Sequence, residues 1–161
     1  MGSKERLYAD IMAVHPEVTG SCNLVIVKQP DNTTVKFIVD CGLFQERKYS
    51  KNNESLPFIP ANIDFCLVTH NHVDHVGRLP FLVSKGFDKE IFISETTSKL
   101  LPLAFEYSHK VLRDVAKRQN RPCLYTESDV AQTMKLIRPC KYNQTVQIRP
   151  SIKATFFQNG H

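Results

Sequence analysis

The 161-residue sequence contains no Cys-x-x-Cys pair, and its cysteines (Cys22, Cys41, Cys66, Cys123 and Cys140) are odd in number. That argues against a disulfide framework and against a structural zinc site built on cysteine, and it fits a reducing cytoplasm. Cys22 and Cys66 lie in apolar stretches and read as core thiols. No apolar run is long enough to span a membrane. The start, Met1-Gly2-Ser3-Lys4-Glu5-Arg6, has no signal-peptide core, and arginine at the sixth position breaks the myristoylation pattern. There is no internal repeat or low-complexity tract. Neither sign of charge dominates: 21 Lys and Arg against 16 Asp and Glu leave +5, which favours polyanionic partners without establishing one. With 42% apolar residues, the chain suffices for one domain with a core and is too short to expect two.

The order of elements follows from apolar pattern and turn chemistry. Residues 7–14 read as a first strand. Residues 22–28, rich in β-branched side chains, and residues 35–39 read as an antiparallel hairpin around Pro30-Asp31-Asn32. Residues 44–60 are polar and irregular, with room for one helical turn. Residues 63–68 form a short apolar run that reads as a buried strand. Residues 79–85 read as a short helix ended by Gly86, and residues 90–94 as the next strand. Residues 96–120 are helical, with Leu100, Ala104, Tyr107, Val111 and Val115 predicted as the apolar face and Pro102 marking a kink or a junction of two helices. Thr126 and Asp129 resemble a capping box for a helix to Leu136. Residues 137–142, 145–149 and 152–158 read as strands. Alternating helices and strands rule out a pure bundle or sandwich. The basic residues Arg47, Lys48 and Lys51, and Lys110, Arg113, Lys117, Arg118 and Arg121, read as solvated faces.

Chemistry concentrates in Thr69-His70-Asn71-His72-Val73-Asp74-His75, where a core strand gives way to a loop. Rigid scaffold meets open loop there, a common place for catalytic groups. Alternate side chains of an extended segment share a face. His70, His72 and Asp74 therefore point one way if the extended conformation persists, and His75 points elsewhere unless the backbone turns. The natural division is His70 with His72 for one ion and Asp74 with His75 for a second. Neutral imidazole and carboxylate suit zinc, and manganese or iron in a harder site. A lone histidine would read as a loop residue, which is the preferred reading of His15; three imidazoles and a carboxylate behind a core strand do not. Asp40 ends an apolar strand, where a carboxylate is costly to bury unless hydrogen-bonded; the alternative is a turn-forming Asp before Gly42.

His70-x-His72-x-Asp74-His75 matches the signature of the metallo-β-lactamase fold. Val39-Asp40-Cys41-Gly42-Leu43-Phe44-Gln45, Val18-Thr19-Gly20-Ser21-Cys22, Leu124-Tyr125-Thr126 with Glu127-Ser128-Asp129-Val130, and Asn159-Gly160-His161 each resemble segments of its β-CASP branch. That branch comprises RNA-processing nucleases such as RNase J and the pre-mRNA 3′-end endonuclease. The resemblance implies an α/β (α+β) fold, the first half of an αββα sandwich with a mixed β-sheet and helices outside. It implies that residues 1–161 are the N-terminal portion of a metallo-β-lactamase domain, truncated at the third histidine motif, with the β-CASP and C-terminal parts absent. It also implies a two-metal site, zinc with manganese as the alternative, in which His70, His72 and His161 hold one ion and Asp74 and His75 the other. Asp40 would orient the ligand loop, and Asp74 would orient or deprotonate the attacking water. A zinc ion lowers the pKa of bound water to about 7, so the implied reaction is hydrolysis of RNA phosphodiester bonds by a metal-activated hydroxide. RNA is then the partner of the full-length parent. The fragment itself is expected to be inactive and to self-associate or dissolve poorly, because apolar sheet surface is left uncovered.

Two other classes compete. A small-molecule hydrolase of the same superfamily, a thioesterase or lactonase, fits the metal motif but not the contexts of Asp40 to Gln45 and of Gly160-His161. A catalytically silent scaffold would usually have lost motif histidines, and here the motif is whole.

Overall fold

A computed structural model of the chain describes residues 8–14, 17–29 and 31–159. The elements follow in the order β1 (Tyr8–Ala13), β2 (Asn23–Lys28), β3 (Thr34–Val39), β4 (Phe65–Val68), α1 (Val73–Val76), α2 (Leu79–Ser84), β5 (Ile91–Ser94), α3 (Glu95–Arg118), α4 (Glu127–Leu136), β6 (Ile137–Cys140), β7 (Thr145–Arg149) and β8 (Ile152–Thr155). The irregular stretch between β3 and β4 carries a 3-10 segment, Arg47–Glu54.

Six strands form one mixed sheet in sequence order, β1 to β6. β1, β2 and β3 are antiparallel neighbours, whereas β3 to β6 run parallel. Composition follows pairing. The parallel strands β4 (FCLV) and β5 (IFIS) are almost wholly buried, as strands covered on both faces must be. β2 and β3 alternate, and β1 is an exposed edge. Pro139 sits in β6, the opposite edge, where its missing N–H breaks no ladder.

Period-two alternation sends neighbouring residues into two cores. Ile38, Cys66, Val68, Ile91 and Ile93 face the helices and pack with Leu79 and Leu82 of α2 and Leu101 and Phe105 of α3. Phe37, Phe65 and Phe92 face the other way and meet Ile148 and the β7–β8 hairpin. There Phe37 and Phe65 stack at 4.5 Å between ring centroids, and Phe92 meets Phe65 edge-on at 6.1 Å. The layers are therefore helices, mixed sheet and a small second sheet, which is the expected α/β class.

α3 departs from expectation. Its buried side chains include Thr97, Leu101, Phe105, Ser108 and Ala116, while Leu100, Tyr107 and Val111 are exposed. The helix carries two apolar stripes, and its connection chooses between them. β5 ends at Ser94, which is also the N-cap: its Oγ accepts from Thr97 N. With no intervening loop, the strand end sets the helix rotation and turns Leu101 and Phe105 onto the sheet. Pro102 does not divide the helix, which runs unbroken through it. The capping box of α4 forms, with Thr126 N donating to Asp129 Oδ2 at 2.7 Å and Asp129 N to Thr126 Oγ1 at 3.3 Å.

Candidate metal centre

The cluster lies past the carboxyl ends of β3 and β4, the edge of a parallel sheet where ligands gather. Register places Val39 opposite Leu67, so Asp40 stands beside Thr69. Asp40 is buried, with φ +65, a left-handed conformation that Asp tolerates better than most residues. Its carboxylate is fully used. Oδ1 accepts from Thr69 N at 2.8 Å, the Thr69 hydroxyl lies 2.9 Å from Oδ2, and His75 Nδ1 is 2.8 Å from Oδ2.

These contacts settle two tautomers by donor counting. An ionised carboxylate only accepts, so His75 carries its proton on Nδ1 and the Nε2 lone pair is left for other work. Thr69 spends its hydroxyl proton on Asp40. His70 Nδ1, 3.0 Å from Thr69 Oγ1, must then donate, which makes Nε2 the basic nitrogen of His70 as well. The hydrogen bond to Asp40 raises the pKa of His75; partial burial opposes this, and the charges of Asp40 and Asp74 add to it.

The extended conformation does not persist through the motif. His72 is the N-cap of α1, and the chain turns helical at Val73. Asp74 therefore leaves the face shared by His70 and His72, and His75 swings back instead of pointing away. The ring centroids of His70 and His72 lie 4.5 Å apart and those of His70 and His75 4.0 Å. Asp74 Oδ2 is 3.7 Å from His75 Nε2.

α1 is too short to hold itself, and backbone from elsewhere laces it down. Ser21 N donates to Asp74 O, Cys41 N to His75 O and Leu43 N to Val73 O, at 2.9, 2.8 and 3.0 Å. The approach is so close that a Cβ on Gly42 would stand 1.6 Å from Asp74 O. Arg78 completes the frame. It is fully buried, with Nε donating to Gly42 O at 2.6 Å and Nη1 to Asn52 O and Ser55 O at 2.9 and 3.2 Å. Nothing in Gly77-Arg78-Leu79-Pro80 as a sequence marks a buried guanidinium. His161 and His15 lie outside the described residues.

The model of the Metallo-beta-lactamase superfamily matches residues 18–131, and the chain belongs to that family. It is 30% identical, over 90% of its length, to Ribonuclease TTHA0252 of Thermus thermophilus. It is 31% identical, again over 90%, to Transcription termination factor FttA of Methanocaldococcus jannaschii, and 29% identical over 90% to Endoribonuclease ysh1 of Aspergillus fumigatus. The chain spans 30%, 22% and 16% of these three relatives.

Family membership implies a divalent metal site, and the donor set fits one. Two imidazoles present Nε2 lone pairs, and a carboxylate oxygen lies beside one of them. Among the described residues no group of three or more such side chains is gathered as an ion cage.

Proposed function

We propose that the chain supplies the metal-holding part of a β-CASP-type nuclease that hydrolyses RNA phosphodiester bonds. The observation that carries this reading is the Asp40–Thr69–His75 network, which fixes a His/Asp cluster at the open end of a parallel sheet. Similarity over nine-tenths of the chain to proteins named as ribonucleases favours RNA over a small ester or lactam. On this reading the chain is the N-terminal portion of its domain. His70 and His72, with His161, hold one ion, and Asp74 and His75 hold a second; zinc is first choice and manganese second. The free thiols, four of the five buried, suit a reducing cytoplasm.

A divalent ion bound here supplies a nucleophile near neutral pH and offsets charge on the phosphate. The chain does the rest. Asp40 keeps the proton on His75 Nδ1 and so would leave Nε2 to bind a metal ion, an orienting role. Asp74, with an oxygen 3.7 Å from that nitrogen, would take a proton from the attacking water. Thr69 ties both histidines to the same carboxylate, so the ligands move as a unit.

The test uses zinc- or manganese-loaded protein extended to the length of these relatives, assayed on labelled single-stranded RNA beside lactone, thioester and lactam substrates. RNA cleavage abolished by His72→Ala is the expected result. Turnover of a thioester or lactone without cleavage of RNA overturns the reading, and full-length protein with no bound transition metal points to a scaffold instead.

A further inference from the structure

Nine of the ten phenylalanines are buried or half-buried; Phe157 is 71% exposed. It lies just past β8 and lines a cavity of about 350 Å³ together with Phe156, Val39, Leu67, Thr69 and His70. An open aromatic thus shares one cavity with a candidate metal ligand. None of the lining residues is Asp, Glu, Lys or Arg. Such a cavity suits a neutral, flat, partly apolar group, and not a phosphate, which calls for cations. Its size is at the lower end of the range for small-ligand pockets, about 300–1,000 Å³.

We propose that this cavity is a nucleobase subsite, in which a base next to the reacting phosphate stacks on the Phe157 ring while the phosphate lies toward His70. The proposal rests on the RNA reading and adds to it the group that positions the strand. Stacking on an aromatic face tolerates any base, because each has a π-face. It also requires an unpaired strand, since bases in a duplex are not free to stack on protein. The subsite therefore selects single-stranded substrate without selecting sequence.

The chain contains no tryptophan, so Phe157→Trp installs a lone fluorophore in the cavity, at an exposed position where the larger ring disturbs no core. The zinc-loaded 161-residue variant, its fold checked by circular dichroism, is titrated with a short oligoadenylate and with an abasic ribose-phosphate oligomer of equal length. The wild-type chain and Phe157→Ala are titrated in parallel by fluorescence anisotropy of labelled oligomers. Expected are saturable quenching by oligoadenylate and none by the abasic oligomer. Phe157→Ala should weaken oligoadenylate binding roughly fivefold to 100-fold, the range for loss of one base–aromatic stack. It should leave abasic binding unchanged, and Phe157→Tyr should restore the loss. Oligoadenylate binding with no quenching and no effect of Phe157→Ala overturns the subsite and leaves the RNA reading standing. Equal quenching by both oligomers also overturns it, since charge alone would then bring the strand to Phe157. No binding of either oligomer by the 161-residue chain overturns the subsite, while the RNA reading is decided by cleavage with the extended protein.

Discussion

One carboxylate holds the histidine loop. Asp40 accepts from the backbone and hydroxyl of Thr69 and from the ring of His75, so a neutral amide in its place would turn an NH2 toward a donor. Asp40→Asn is expected to lower zinc affinity about 10–100-fold, the usual loss when the partner of a metal-binding histidine is removed. Isothermal titration that finds parental affinity would reduce Asp40 to a turn residue. His72 is different in kind: its side chain is exposed and its ring lies against that of His70. His72→Ala should weaken zinc binding more than Asp40→Asn does. If the two variants rank the other way, His72 is not a ligand.

At the scale of elements, the four-residue helix α1 exists because strand ends and loops grip its backbone. Gly42 permits that grip. A methyl group there would sit 1.6 Å from Asp74 O, backbone against backbone with no side chain to yield. Gly42→Ala is therefore expected to destabilise the fold by more than the roughly 0.5–3 kcal/mol of ordinary substitutions, and to abolish zinc binding. Gly86 makes the control. It has φ +101 but nothing within 4 Å of an added Cβ, so Gly86→Ala carries backbone strain alone, about 1–3 kcal/mol, and should keep zinc binding. Denaturant unfolding of the two variants separates the cases; equal losses would mean that the lacing of α1 is loose. Arg78 belongs to the same frame. By bonding three carbonyls of residues 42–55 it ties the loop beside the cluster to α1.

Across the whole molecule, the second sheet covers the aromatic face of the first, yet α3 leaves apolar surface open. Leu103 and Tyr107 are largely exposed. Tyr107, Val111 and Val115 line a cavity of about 400 Å³ against Leu43, Phe44 and Val73. Contiguous apolar patches on a soluble chain tend to find partners. The isolated chain is expected to self-associate with rising concentration, and Tyr107→Ser with Val111→Ser should shift it toward monomer in sedimentation velocity. A monomer at every concentration, with or without the substitutions, counts against this surface. Among the described residues no helix is long and apolar enough to cross a membrane.

Local pattern alone determined much of this chain. The β2–β3 hairpin, the buried strand β4, the capping box of α4 and the place of the His/Asp cluster were all legible, because strand periodicity, cap chemistry and residue spacing are written in neighbouring residues. Three features were decided only by tertiary structure. α1 turns helical at Val73 because residues 21 and 41–43 dock on its carbonyls, and that docking brings His75 back to His70. α3 buries Leu101 and Phe105 because Ser94 joins it directly to β5, a choice between two apolar stripes that periodicity cannot make. Arg78 is buried because distant carbonyls at Gly42, Asn52 and Ser55 converge on it. In each case the deciding partner is remote in sequence or lies in a neighbouring element, and its free energy enters only when the sheet has assembled.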